Sequence, residues 1–294
     1  MVVPPGAVGY SLHFGLNFVD PAHYDGWDGE LRACEFDAHD MEAIAAAQGF
    51  AHRKVLLTAD ATSANLFTEM TGLARQMTAG DMLLLTYSGH GGQVEDVTSE
   101  EDDKMDETWC LYDRMVLDDE LYRLFGLFKP GVRIFMLSDS CHSGTVMKFR
   151  MERGQDPAEA ARAAARATRT GDDDVSDDAA VRLMPVERSM QVQALNRGLY
   201  TTVKALAAGG ETQVPEAEVI LISGCLDEQV SLDGSRNGVF TAAMRRVWND
   251  GAFTGGYHTF HRQIVARMPL SQTPNLYVPH PVSPEFMNAR PFTI

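Results

Sequence analysis

Residues 81–92 read DMLLLTYSGHGG, an apolar run that breaks at Ser88 into a histidine, His90, framed by glycines. Residues 132–144 follow the same plan, VRIFMLSDSCHSG, with the run ending at Ser138 and a thiol, Cys141, three residues on. Short hydrophobic runs bounded by glycine and small polar residues predict strands buried on both faces. In an open parallel sheet functional groups collect where strands end, at the carboxyl edge. The two segments therefore place an imidazole and a thiol on one edge, the pair that a cysteine protease needs.

Outward from these segments, Gly9–Val19 predicts a strand and Cys34–Gln48 an alanine-rich amphipathic helix closed by Gly49. His52–Thr58 predicts a second strand, and Thr62–Met77 a second helix opened by Thr62 and Ser63 and stopped at Gly80. Residues 95–107 hold eight carboxylates and one lysine with almost no apolar content, which predicts an exposed loop. Asp118–Phe128 then predicts a helix. After Ser138 the pattern dissolves as far as about residue 190 into Arg, Ala, Asp and Gly, with a short helix from Asp156 to Arg169 and a solvated break at Gly171–Asp174. This stretch reads as an inserted linker. Order resumes with a strand at Glu218–Ser223 and helices at Val239–Asn249 and Tyr257–Arg267. The alternation is that of an α/β protein with a mainly parallel sheet covered on both faces.

A chain of 294 residues that is 45% hydrophobic has room for one large core, and one domain spanning 1–294 is expected. The start lacks the charged and apolar segments of a signal peptide, and no run of eighteen apolar residues occurs, so a soluble, cytoplasmic protein is expected. The 41 acidic and 25 basic residues leave a formal charge of −16, which disfavours nucleic acid and anionic membranes and favours cationic partners. Cys34, Cys110, Cys141 and Cys225 have neither CxxC nor zinc-site spacing, so reduced thiols are expected.

SGHGG at 88–92 followed by DSCHSG at 139–144 resembles the metacaspase branch of the caspase-like cysteine proteases, including the bacterial orthocaspases. Cys34-Glu35-Phe36-Asp37-Ala38 is similar to the family's CxxDA helix start, and Asp106-Glu107-Thr108 with Leu117–Leu121 resembles its middle segment. Ile222-Ser223-Gly224-Cys225, Gly238-Val239-Phe240-Thr241 and Gln272-Thr273-Pro274 resemble its small-subunit landmarks. The likeness covers roughly residues 8–280. It implies a three-layer α/β/α sandwich on a mainly parallel sheet of about six strands. Residues 8–148 would be large-subunit-like, 149–215 the linker and 216–280 small-subunit-like.

The resemblance also implies roles. Cys141 attacks the scissile carbonyl, His90 protonates the departing amine, and the N–H groups of Gly91 and Cys141 form the oxyanion hole; no cofactor is required for this chemistry. Asp37, Ser88 and Asp139 become the S1 pocket, with Cys34 at its edge. Two carboxylates in one narrow pocket repel unless a cation enters, so cleavage after Arg or Lys in basic polypeptides is expected. Calcium is implied at Asp118 and Asp119 with Asp103 or Asp106. Lys148, however, stands where the family has an aspartate, and Asp118 and Asp119 equally suit the start of a helix. The linker carries Arg150, Arg153, Arg162, Arg166, Arg169, Arg182 and Arg188, so self-processing there is open, as is plain solvation. A monomer is expected. A caspase-fold scaffold with an unused dyad, or a calcium-binding regulatory domain, stands as the alternative.

Overall fold

The computed structural model describes residues 6–95, 105–140, 180–207, 214–226, 229, 231–269 and 271–294. Its main sheet has six strands in the order β2-β1-β3-β7-β8-β9. β1 (Gly9–Gly15), β2 (His52–Leu57), β3 (Met82–Ser88), β7 (Arg133–Asp139) and β8 (Glu218–Ser223) run parallel, and β9 (Asn275–Tyr277) returns antiparallel beside β8.

Side-chain alternation along the central strands feeds two separate cores. Leu83, Leu85 and Tyr87 of β3 and Ile134 and Met136 of β7 face α2 (Ser63–Gln76) and α3 (Asp118–Phe125) through Leu66, Met70, Leu121 and Phe125. The intervening Met82, Leu84, Phe135 and Leu137 face the other layer. That layer is α1 (Cys34–Ala47), together with two helices from late in the chain, Val239–Trp248 and Tyr257–Val265. Strands buried on both faces explain why these segments read as unbroken apolar runs. Truncating one of their leucines to alanine costs about 2–5 kcal/mol, so the sheet is a rigid platform for whatever its edge carries.

Local chemistry sets the element ends. Thr62 Oγ1 accepts the Asn65 N–H at 3.2 Å and caps α2, and Gly49, at φ +81°, closes α1. The Asn17 side chain accepts the Cys34 N–H at 3.1 Å, capping α1 from a neighbouring loop. β1 stops at Gly15 rather than Val19 because α1 crosses there. A Cβ on Gly15 would lie 2.4 Å from the Cys34 carbonyl oxygen.

Two expectations change. Residues 95–107 do not form an exposed loop throughout: β4 (Gly91–Glu95), β5 (Met105–Cys110) and β6 (Met115–Leu117) make a second, antiparallel sheet. Within the linker stretch, α4 (Val186–Leu195) and α5 (Arg197–Ala207) pack Val192, Tyr200 and Val203 against Val94, Cys110 and Met115 of that sheet. The helix expected at 156–169 lies outside the described residues. The chain ends with α6 (Val239–Trp248), α7 (Tyr257–Val265) and α8 (Pro284–Asn288). Among the described residues no helix is long and apolar enough to cross a membrane.

Candidate active site

Strand register builds the site. Ser88 and Asp139, the last residues of β3 and β7, stand directly opposite one another at the carboxyl edge. α1 brings Asp37 to the same edge, where its Oδ2 accepts the Ser88 hydroxyl at 2.7 Å. The three residues that the sequence assigned to one pocket are therefore together, and all are buried.

A cation fills the space between them, and it comes from the chain itself. Arg182, with 0% relative exposure, places Nη2 2.8 Å from Asp37 Oδ2 and Nη1 2.9 Å from Asp139 Oδ2. Nη1 also donates to Ser88 Oγ at 2.8 Å, and Asp233 supplies a third carboxylate 2.9 Å from Nη2. Each carboxylate has further donors. Asp139 accepts from Ser231 Oγ and Thr241 Oγ1 at 2.8 and 2.7 Å, and Asp37 accepts from Asn237 Nδ2 at 2.9 Å. Burial alone would push the guanidinium down, but Asp139 and then its other acidic neighbours outweigh that and hold it firmly charged. Burial raises Asp37 to about 6, with Asp139 adding to the rise and Arg182 opposing it. Burial likewise raises the Cys34 thiol, which makes it an inert proton-bearing wall rather than a nucleophile.

The backbone around Arg182 is extended and paired on both sides. Its N–H donates to the Ser231 carbonyl at 2.9 Å, and the Asp233 N–H donates to the Ala180 carbonyl at 2.8 Å, an antiparallel pairing. On the other side the Gly91 N–H donates to the Arg182 carbonyl at 3.1 Å, and the Met184 N–H to the Gly91 carbonyl at 2.7 Å. Residues 180–184 thus lie as an added strand between the Gly91 and Ser231–Asp233 backbones, the manner in which extended peptides dock on sheet edges.

His90 precedes Gly91 on the same turn. Its Nε2 lies 2.9 Å from the Gly29 carbonyl, which can only accept, so Nε2 carries the proton and Nδ1 the lone pair. Among the described residues that buried Nδ1 has no hydrogen-bond partner. Trp27 packs on the ring at 4.8 Å between centroids, and burial lowers the imidazole to about 4, which keeps it neutral. Gly29 makes this contact possible. It sits at φ +57°, and a Cβ there would come within 3.0 Å of both Trp27 and His90. The Tyr87 hydroxyl donates to the His90 carbonyl at 2.7 Å and fixes the turn from below.

Cys141 and Asp103 lie outside the described residues, as does Lys148; the described chain reaches Ser140, which is fully buried. Of the residues that the resemblance implied for calcium, Asp106, Asp118 and Asp119 are described. Asp106 is paired with Lys204 at 2.5 Å, Asp118 accepts the Asp119 N–H at 2.9 Å in the first turn of α3, and no described cluster of three or more metal-binding side chains exists. Asp233 and Gly29 gained no role from sequence, and Arg182 only that of one linker arginine among those at which self-processing was open. A signal for Arg182 exists, since Val181-Arg182-Leu183-Met184 is an apolar island in a polar stretch.

A family model described as the caspase domain matches residues 18–284. The chain belongs to the caspase-domain family. Within it, the sequence is 29% identical to metacaspase-1 of Kluyveromyces lactis over 80% of this chain and 56% of that protein. It is 31% identical to metacaspase-1A of Aspergillus terreus over 80% of this chain and 60% of that protein. The chain thus spans somewhat over half the length of these curated relatives. A solved protein from Geobacter sulfurreducens matches with a TM-score of 0.82 at 43% identity over 97% of this chain and 98% of the other. Caspase-1 of Spodoptera frugiperda shares the fold, with a TM-score of 0.55 at 11% identity over 92% of this chain and 86% of the other. The caspase-domain fold accounts for the strand order.

Proposed function

We propose that this caspase-domain protein is a cysteine endopeptidase that cleaves after arginine or lysine and processes itself after Arg182. The observation that carries the reading is Arg182 itself, an arginine enclosed by Asp37, Asp139 and Asp233 with its carbonyl on the Gly91 N–H. That is the pose of a P1 residue. The side chain is neutralised in an acidic pocket and the carbonyl is polarised by a donor suited to a tetrahedral oxyanion, each such donor being worth about 3 kcal/mol. In the proposed reaction Cys141 Sγ bonds to the P1 carbonyl carbon and the C–N bond breaks. His90 Nδ1, which carries the lone pair of a ring steered by Gly29, takes the thiol proton and passes it to the leaving amine. Water then hydrolyses the thioester.

Peptides with Arg, Lys or Asp at P1 test the specificity, with cleavage of the first two expected; preference for Asp would overturn it. Mass spectrometry of the incubated chain should reveal a new N-terminus at Leu183. Basic polypeptides are the substrates in this reading, and the enzyme works as a monomer. The edge strand β9 has three residues, and Pro279 and Pro281 soon after it lack the N–H groups that further pairing requires.

A pH dependence follows from Asp37. Its carboxyl is raised to about 6 with a guanidinium beside it and further without one, so KM for an Arg peptide should climb as pH falls towards about 6, where the empty pocket has already taken up its proton, and level off below it. His90 stays neutral until about 4, so kcat should hold over the same interval. Initial-rate profiles between pH 5 and 8 separate the two. An acid limb in kcat rather than KM would assign the titration to the base instead.

A further inference from the structure

Asp233 approaches the guanidinium from a direction that an ammonium group does not offer. Its Oδ1 accepts from both Nε, at 3.2 Å, and Nη2, at 2.9 Å, of Arg182. Its Oδ2 is tied to the Arg32 N–H at 2.7 Å, which fixes the carboxylate in this side-on orientation. The opposite end of the fork is served separately: Nη1 donates to Ser88 Oγ at 2.8 Å and to the Asp139 carbonyl oxygen at 3.2 Å, and Nη2 to Asp37 Oδ2 at 2.8 Å. All three nitrogens of a rigid planar group are thereby engaged along two edges. A lysine presents three donors from a single point and has no N–H where Nε lies.

The far wall is shaped for the same group. A Cβ on Gly238 would fall 2.4 Å from Asp139 Oδ2 and 2.5 Å from Arg182 Nη1, so glycine there leaves the width of the fork. Asp233 is also part of the peptide track, through its N–H on the Ala180 carbonyl.

We infer that Asp233 makes this pocket select arginine over lysine, a deepening that rests on Arg182 marking the position of a substrate's P1 side chain. Asp37 and Asp139 supply charge that either basic residue satisfies; Asp233 reads the Nε edge that arginine alone possesses.

The test compares P1-Arg and P1-Lys peptides on the wild-type protein and on Asp233→Asn, with a third peptide whose P1 arginine is methylated on Nε. A charge-assisted hydrogen bond is worth about 1.5–3 kcal/mol, so wild type should favour Arg over Lys in kcat/KM by about 10- to 100-fold. The Nε-methyl peptide should fall to the lysine level. In Asp233→Asn the Arg rate should drop while the Lys rate changes little, bringing the ratio to about threefold or less. Equal cleavage of Arg and Lys by wild type, or an equal loss on both in the variant, overturns the inference and leaves the basic specificity standing. Cleavage of neither, or of Asp peptides, overturns the specificity reading itself. Should Asp233→Asn fail to fold by circular dichroism, the methylated peptide on wild type decides alone.

Discussion

Cys141→Ala is expected to lose about 10⁴- to 10⁶-fold in cleavage of Arg peptides and to keep the Arg182–Leu183 bond intact. Nothing else in the site replaces a thiolate: Cys34 and Cys110 are buried with their thiols raised by that burial, and Cys225 is buried, its Sγ–H directed to the Ser140 carbonyl at 3.4 Å. His90→Ala should be comparably poor at pH 7 but should recover in part as pH rises through about 8.5, where a free thiol ionises without help. Cys141→Ala should stay flat. Parallel pH–rate profiles of the two variants, with the intact mass of each chain, give the comparison. Absence of cleavage by wild type and Cys141→Ala alike would support a caspase-domain scaffold with an unused dyad, and equal cleavage by both would remove Cys141 as the nucleophile.

Arg182→Ala should be the most destabilising single change near the site. Removing the guanidinium leaves Asp37, Asp139 and Asp233 facing one another in a space closed to water, and breaking a buried ion pair in this way costs about 3–5 kcal/mol. In a chain of this size that corresponds to a fall in Tm of roughly 10 °C. The deficit should be pH-dependent with a definite sign. Asp37 already has its carboxyl raised to about 6 with the cation present, and without it the folded-state value rises further above the unfolded one. Protonation then favours the folded variant over the range where wild-type Asp37 is still ionised, so the Tm deficit is largest at high pH, shrinks as pH falls towards about 6 and changes little below it. Arg182→Lys keeps one charge and should recover part of the loss. Calorimetry at pH 7.5 and 5 makes the measurement, and an unchanged Tm would mean that residues 180–184 leave the site at no cost.

The parallel sheet was legible because its central strands, β3 and β7, are buried on both faces and carry the apolar runs 82–85 and 134–137. The ends of β3 and β7, with Ser88, His90 and Asp139, could be read for the same reason. The small sheet was hidden by burial that depends on distant partners. Asp106 in β5 reads as solvated until Lys204, about a hundred residues on, is folded against it. α4 and α5 were obscured by the arginine-rich composition just before them. Arg182 differs from the other linker arginines in sequence only by its apolar neighbours, because three carboxylates from α1, β7 and the segment after β8 converge on it only in the folded chain. The group that steers His90 is a backbone carbonyl, at Gly29, and a carbonyl has no residue type to recognise.

Because residues 180–184 pair with Gly91 and with Ser231–Asp233 through main-chain hydrogen bonds as well as through the arginine side chain, the proposed hydrolysis after Arg182 would remove none of the contacts on the amino-terminal side of the bond. The released carboxyl end would remain covalently joined to the body of the enzyme. It would compete with incoming peptides intramolecularly, at an effective concentration fixed by the tether rather than by the amount of protein in solution. Dilution would then bring no relief from this competitor, and the specific activity of the cleaved enzyme would be set by how readily its own tail is displaced.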